Sequence, residues 1–97
     1  MKLSSPQLEI LRQLASCDEP LAYFTGSYWT MPSIGRRAGS RGFNGLWHTT
    51  LVTIRSLEER SLLEQTKTAT NYDIVCYPNL ADRVLTPKGL QEAKRHP

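Results

Sequence analysis

The sequence predicts a small α+β domain with about four helices and an antiparallel hairpin near its carboxyl end. Two segments carry this prediction. Residues 49–64 are typical of an amphipathic helix that stops at Ser61 and continues directly into an apolar, strand-like run. Further along, residues 83–90 are typical of a second strand that leads into a capped helix. We therefore expect the order helix, strand, long turn, strand, helix in the second half of the chain.

Length and composition favour one compact domain. The chain has 97 residues, which is enough for a single domain over residues 1–97 but not for separate hydrophobic cores. Apolar residues make up 39% of it, so we expect a modest core. No apolar run approaches the length of a membrane span, and the amino-terminal residues lack the apolar centre of a signal peptide. We expect a soluble, cytoplasmic protein.

The first predicted helix runs from about Ser5 or Pro6 to Ser16. Ser4 followed by Gln7 matches a capping box, and proline is well placed in the first turn of a helix. The apolar arc of this helix is wide enough to face either the core alone or both the core and a partner subunit. Its members are Leu8, Ile10, Leu11, Leu14 and Ala15.

Short elements lead to the second helix. Residues 21–24 are typical of a short strand, and a turn follows them. Thr30 is a candidate N-cap for a helix that begins at Met31 or Pro32 and ends at Ala38. A glycine-rich turn then separates this helix from the third one.

The third predicted helix has two different faces and ends at Ser61, where a glycine often stands. One face has the composition of a core: Trp47, Thr50, Leu51, Ile54 and Leu57. The other is small and polar: Thr49, Val52, Thr53, Ser56, Glu59 and Arg60. Trp47, like Trp29 earlier in the chain, adjoins the start of an element among apolar neighbours, so we expect both indoles to pack in the core.

The remaining residues complete the predicted hairpin and the last helix. Residues 62–68 form the first strand, 69–82 a long turn and 83–85 the second strand. The last helix has a threonine cap and a proline at its first position, Thr86–Pro87, and ends near residues 94–95.

This pattern resembles the winged helix-turn-helix superfamily of DNA-binding proteins, and particularly its small bacterial regulators of the MarR and PadR type. The resemblance is carried by residues 53–64 (TIRSLEERSLLE) and 85–89 (LTPKG). These look like the end of a recognition helix, the entry into the wing and the start of the helix after the wing. The resemblance implies a two- or three-stranded antiparallel wing at about residues 62–85 and double-stranded DNA as the partner. We expect a homodimer, because regulators often read two half-sites.

Positive charge is concentrated in a segment that lacks acidic residues. The net charge is only +3, but residues 20–57 contain no Asp or Glu and carry Arg36, Arg37, Arg41 and Arg55. Such a local surface indicates an anionic partner, although solvated arginines are the ordinary alternative. The resemblance places Arg36, Arg37 and Arg41, ahead of the third helix, against the phosphate backbone.

The resemblance also places the first half of the third helix in the major groove. The side chains expected to face base edges are His48, Thr49, Val52, Thr53 and Ser56. Hydroxyl groups can hydrogen-bond to base edges, and valine can contact a thymine methyl group. Arg55 is expected to flank this surface and Arg60 to lie at its far end. Lys67 and Arg83 flank the wing, where each either contacts phosphate or keeps the edge strands soluble.

The apolar residues of the long turn suggest a second hypothesis, a protein-interaction module that works in a larger assembly or blocks a host factor. They are Tyr72, Ile74, Val75, Tyr77 and Leu80. We expect Ile74 and Val75 to pack onto the core. Tyr72 and Tyr77 either pack as well or contribute to a protein-binding surface through the wing tip.

No motif of the sequence predicts an enzyme or a cofactor. Threonines adjoin His48, but adjacency in the chain is not the geometry of a nucleophile and its base. The two cysteines and two histidines, Cys17, Cys76, His48 and His96, lack the close pair spacing of zinc ligands. We expect both thiols to be reduced.

Overall fold

The computed structural model describes residues 2–38 and 45–96. Its elements, in chain order, are α1 (Ser5–Ala15), β1 (Ala22–Thr25), β2 (Tyr28–Thr30), α2 (Pro32–Ala38), α3 (Leu51–Glu59), β3 (Leu63–Gln65), a 3-10 helix (Pro78–Leu80), β4 (Arg83–Leu85) and α4 (Pro87–Arg95). These residues form four α-helices and two small antiparallel sheets of two strands each, which confirms the α+β class.

α1 begins with the predicted capping box. The backbone amide of Ser4 donates to Oε1 of Gln7 at 2.8 Å, and the amide of Gln7 donates to Oγ of Ser4 at 3.4 Å. This exchange satisfies amides that have no partner within the helix. The apolar face of α1, with Ile10 and Leu11 fully buried, packs against α3 and α4. α1 is therefore a central support for α3.

A strand that the sequence did not predict, β2, forms a hairpin with β1. Tyr23 faces Trp29 in this antiparallel pair. Thr30 ends β2, and its hydroxyl donates to the carbonyl of Trp47 at 2.7 Å. α2 begins at Pro32 as predicted, but the expectation that Thr30 caps it is wrong, because the Thr30 side chain is bonded elsewhere.

The second hairpin pairs β3 with β4, and two isolated β-bridges join the hairpins to neighbouring segments. β4 coincides with the predicted strand, whereas β3 is shorter than the predicted 62–68. Leu21, just before β1, exchanges both backbone hydrogen bonds with Arg83 at 2.8 and 2.9 Å. Trp29 and Thr49 make the same exchange at 2.9 and 2.8 Å. The segment before α3 is thereby fixed against the first hairpin.

α3 ends at Glu59, and Ser61, where the sequence placed the end of the helix, adopts a left-handed conformation. Ser61 has φ +62°, a conformation that costs a residue with a Cβ about 1 kcal/mol. The amide of Ser61 donates to the carbonyl of Glu58 at 2.9 Å, and the amide of Leu62 donates to that of Leu57 at 3.0 Å. These bonds close the helix and direct the chain into β3.

The core lies between α1, α3, α4 and the hairpins. Its buried side chains are Ile10, Leu11, Leu14, Leu21, Trp29, Met31, Ile54, Leu57, Leu62, Leu63 and Ala93. Trp29 is fully buried and Trp47 is half-buried against the same cluster, which confirms both as core residues. Among the described helices, none has the length and apolar content needed to cross a membrane.

Candidate nucleic-acid interface

α3 presents one face to the core and the opposite face to solvent. Ile54 and Leu57 are fully buried, and they fix the rotation of the helix about its axis. On the opposite face, Val52 is 80% exposed, and Arg55 and Glu59 are exposed as well. These positions are three and four residues apart, so the three side chains form a continuous strip along the helix.

The exposed strip differs from the predicted reading surface. Ser56 is half-buried, and its hydroxyl accepts from Nε2 of Gln7 at 2.9 Å and donates to the carbonyl of Thr53 at 2.6 Å. Ser56 therefore faces α1, and Thr53 is half-buried too. Arg55, which was expected to flank the surface, lies at its centre between Val52 and Glu59.

His48 and Thr49 precede α3 instead of belonging to it. Thr49 is buried and pairs through its backbone with Trp29 in a β-bridge, so the expectation that its side chain faces a base is wrong. His48 is exposed, and its ring meets that of Tyr28 edge to face with centroids 4.6 Å apart. α3 begins only at Leu51, with Thr50 in the N-cap position.

Arg55 has no ionic partner among the described residues, although acidic side chains stand three and four positions further along the helix. Oε2 of Glu58 lies 3.5 Å from Nε of Arg83 and accepts from Nε2 of Gln65 at 3.4 Å. Glu58 is thus turned away toward β3 and β4. Glu59 is exposed and makes no ion pair within the described part of the chain. The guanidinium of Arg55 is left available to an external partner.

Arg36 and Arg37 occupy the last turn of α2, and both are exposed. Nη2 of Arg36 lies 3.7 Å from Oε1 of Glu19, so this arginine is partly neutralised. The same carboxylate accepts hydrogen bonds from the backbone amide of Ser33, at 3.0 Å, and from its hydroxyl. Arg37 has no such partner among the described residues. Arg41 lies outside the described residues.

Arg60 and Lys67 lie at the carboxyl end of α3 and beyond β3. Arg60 is the C-cap residue of α3, is half-buried, and accepts at its carbonyl a hydrogen bond from Nζ of Lys88 at 3.2 Å. An open cleft of about 300 Å³ lies here, lined by Leu3, Arg60, Leu62, Lys88 and Glu92. Lys67 is exposed at the start of the β3–β4 connection. A phosphate contact by Arg60 or Lys67 stays a prediction.

The expectation that Arg83 contacts phosphate or solubilises an edge strand is wrong, because its side chain is buried. Nη1 donates to the carbonyls of Ala81 at 2.6 Å and Asn79 at 3.2 Å. The guanidinium carbon lies 5.0 Å from the ring centroid of Trp29, a cation–π contact. Its Nε faces Glu58 as an ion pair without a hydrogen bond. Arg83 is therefore part of the core beneath α3.

The β3–β4 connection (residues 66–82) folds back onto β1. The hydroxyl of Tyr72 donates to the carbonyl of Phe24 at 3.1 Å, and Nδ2 of Asn71 donates to that of Tyr23 at 3.1 Å. The rings of Tyr23 and Tyr72 also pack, with centroids 5.1 Å apart. Tyr72 thus takes the packing alternative left open by the sequence.

The tip of this connection leaves apolar side chains in solvent. Val75 is 85% exposed, so the expectation that it packs on the core is wrong, while Ile74 is half-buried. Val75 lies two residues after Asp73, whose side chain accepts from the Val75 amide at 2.9 Å in a tight turn that points outward. Tyr77 is 51% exposed despite its edge contact with Tyr72.

Within residues 2–38 and 45–96, no group of three or more His, Cys, Asp or Glu side chains is arranged to hold a metal ion. Cys17 and Cys76 are free thiols. Comparison of the chain with protein-family models, with curated proteins and with solved structures finds no match.

Proposed function

We propose that this chain is a winged-helix DNA-binding protein, a transcriptional regulator that places α3 in the major groove of double-stranded DNA. The observation that carries the proposal is the outward strip of α3, whose arginine has no ionic partner among the described residues. A helix that is held by buried residues on one side and projects an unpaired guanidinium on the other has the form of a groove-reading element.

The arrangement around α3 supports this proposal. α2 precedes α3 in the chain and ends in exposed arginines, and α3 runs through Ser61 into the β3–β4 hairpin. The Leu21–Arg83 bridge joins that hairpin to the residue before β1. In this proposal the hairpin contributes its exposed Lys67 to the phosphate contacts, and the apolar tip of the β3–β4 connection is not part of the DNA surface. Two copies of such a module read paired half-sites, so the proposal includes a homodimer.

We expect binding to weaken as salt rises, and Arg37→Ala to reduce the salt dependence more than Arg36→Ala does. Each phosphate contact contributes about −0.9 to the slope of log K against log[salt]. Glu19 already neutralises part of the charge on Arg36. Replacing Arg36 with alanine should therefore change the slope of log K against log[salt] by less than one full phosphate contact. The measurement is fluorescence anisotropy with a labelled duplex of mixed sequence between roughly 50 and 200 mM KCl.

Lys94→Ala is the matched control for this experiment, because Lys94 is an exposed cation at the far end of α4. It should leave both affinity and slope unchanged. Affinity that does not depend on salt, or an Arg36→Ala, Arg37→Ala double variant that binds like the wild type, contradicts the assignment of phosphate contacts to α2.

The exposed tip of the β3–β4 connection favours a second candidate function, a protein-interaction module. The side chains of Val75 and Tyr77 are exposed to solvent. They lie on a segment that Tyr72 attaches to β1 through its hydrogen bond to Phe24. If this surface is the functional one, Val75→Asp should abolish nuclease-resistant recovery of one protein partner while DNA affinity stays constant. Leu90→Asp, at an exposed leucine of α4, is the control, and an equal loss with it argues against the tip.

A further inference from the structure

We infer that Arg55 and Val52 read a guanine and a neighbouring thymine, which makes them the determinants of sequence specificity. This inference rests on the proposed function and specifies the duplex that the same surface selects. It replaces the small polar reading surface expected from the sequence, because Ser56 and Thr49 are turned away from solvent.

The chemistry of Arg55 matches a purine edge in the major groove. An unpaired guanidinium offers two parallel N–H donors, and guanine presents O6 and N7 as adjacent acceptors. Arg55 is exposed. Glu58, three residues further along α3, already pairs with Arg83 and Gln65. The donors of Arg55 therefore need no internal ion pair to be broken before they bind.

Glu59 distinguishes a base contact from a phosphate contact. It is exposed on the same strip, one turn beyond Arg55. A carboxylate repels phosphate oxygens, so a surface that carries one beside its central arginine is poorly suited to the DNA backbone. Base edges offer donors as well as acceptors, and a carboxylate can accept from cytosine N4. The strip is thus better suited to contact base edges in the major groove than the phosphate backbone on either side of it.

Val52 supplies the apolar half of the recognition surface. It lies one turn before Arg55 and is 80% exposed, which is a large apolar exposure for a helix whose opposite face is fully buried. The rise of about 1.5 Å per residue separates these positions by about 4.5 Å along the axis. Side chains this close together on one face can reach the same base pair or neighbouring ones, which are about 3.4 Å apart. A side chain of this size and position can contact the methyl group of a thymine beside the guanine.

Selection from a duplex library with a randomised centre tests the inference, with wild type, Arg55→Ala and Val52→Ala compared side by side. The wild type should enrich a guanine next to a thymine. Changing that guanine to adenine should lower the affinity of the wild type about 5- to 150-fold. The same change should leave the affinity of Arg55→Ala nearly unchanged. Replacing the thymine by uracil should cost the wild type about 4-fold, the value of one buried methyl group, and cost Val52→Ala nothing.

The outcomes separate this inference from the proposed function. If the wild type binds duplexes without sequence preference, the inference fails and DNA binding stands. If Arg55→Ala weakens binding to every sequence equally and lowers the salt slope by about one contact, Arg55 touches phosphate and the inference fails. If no duplex binds at low salt, the proposed function fails as well. Both side chains are exposed, so circular dichroism should show unchanged folding in either variant.

Discussion

An Arg83→Met variant should unfold with a free energy about 3 kcal/mol below that of the wild type. The change keeps most of the side-chain volume over Trp29 but removes the donors that the carbonyls of Ala81 and Asn79 use. It also leaves Glu58 without its counter-charge. Urea denaturation followed by far-UV circular dichroism measures the loss.

Removing the other partner should be about as costly. Glu58→Gln removes the carboxylate that faces the Arg83 guanidinium, which is only 3% exposed. Arginine cannot lose its proton to avoid the cost of a buried, unpaired charge. The double variant, Glu58→Gln with Arg83→Met, places two uncharged side chains in the same space. Its loss should be smaller than the sum of the single losses by about 1–3 kcal/mol, because the groups are in direct contact.

The pair Arg95–Glu92 provides a control in the same protein. Its N–O distance of 3.3 Å is shorter than the 3.5 Å of Arg83–Glu58, but Arg95 is 74% exposed. Burial and not distance should decide the outcome, so Arg95→Met should cost less than about 0.5 kcal/mol. Equal losses for Arg83→Met and Arg95→Met contradict the structural role given to Arg83.

Features set by neighbours in the chain could be predicted from the sequence. The capping box of Ser4 and Gln7, the start of α4 after Thr86 and the left-handed Ser61 each depend on bonds within a few residues. Thr86 Oγ1 accepts from the Gly89 amide at 3.0 Å, as its N-cap position required. Local hydrogen bonding determines such ends, and local sequence is therefore sufficient to find them.

Features set by distant partners could not be predicted in this way. The sequence does not predict β2, because a strand of three residues is defined by its pairing with β1 and with Thr49. The sequence predicts a surface position for Arg83, because arginine is rarely buried. One signal was present: strand side chains alternate, so Arg83 shares a face with Leu85, which packs against the core.

The surface of α3 illustrates the same limit within one helix. A helical wheel correctly separates Ile54 and Leu57 from Val52 and Glu59. It cannot show that α1 approaches from the side and engages Ser56 through Gln7. The packing of α1 against one side of α3 removes Ser56 from the exposed face of α3. Arg55 is at the centre of the face that remains, and this can be seen only when the position of α1 is known.

A Gly89→Ala variant should lose about 2–3 kcal/mol of unfolding free energy, although alanine is intrinsically the better helix former by about 1 kcal/mol. A Cβ at this position would stand 2.1 Å from the carbonyl oxygen of Leu62 and 3.2 Å from Cδ2 of Leu85. The carbonyl is backbone and also accepts from the Thr86 amide at 3.2 Å, so it cannot move aside without breaking the junction between β3 and α4.

Gly35→Ala separates this steric effect from the general consequence of adding a methyl group to a helix. Its Cβ would also be too close to a neighbour, 2.8 Å from Cδ1 of Phe24, but that neighbour is a half-buried side chain and not backbone. The gain in helix propensity should offset the repacking, so we expect a change within about 1 kcal/mol of zero. Thermal and urea unfolding of both variants give the comparison. If Gly89→Ala proves as stable as Gly35→Ala, the close approach of the α4 backbone to the Leu62 carbonyl does not limit the residue at position 89.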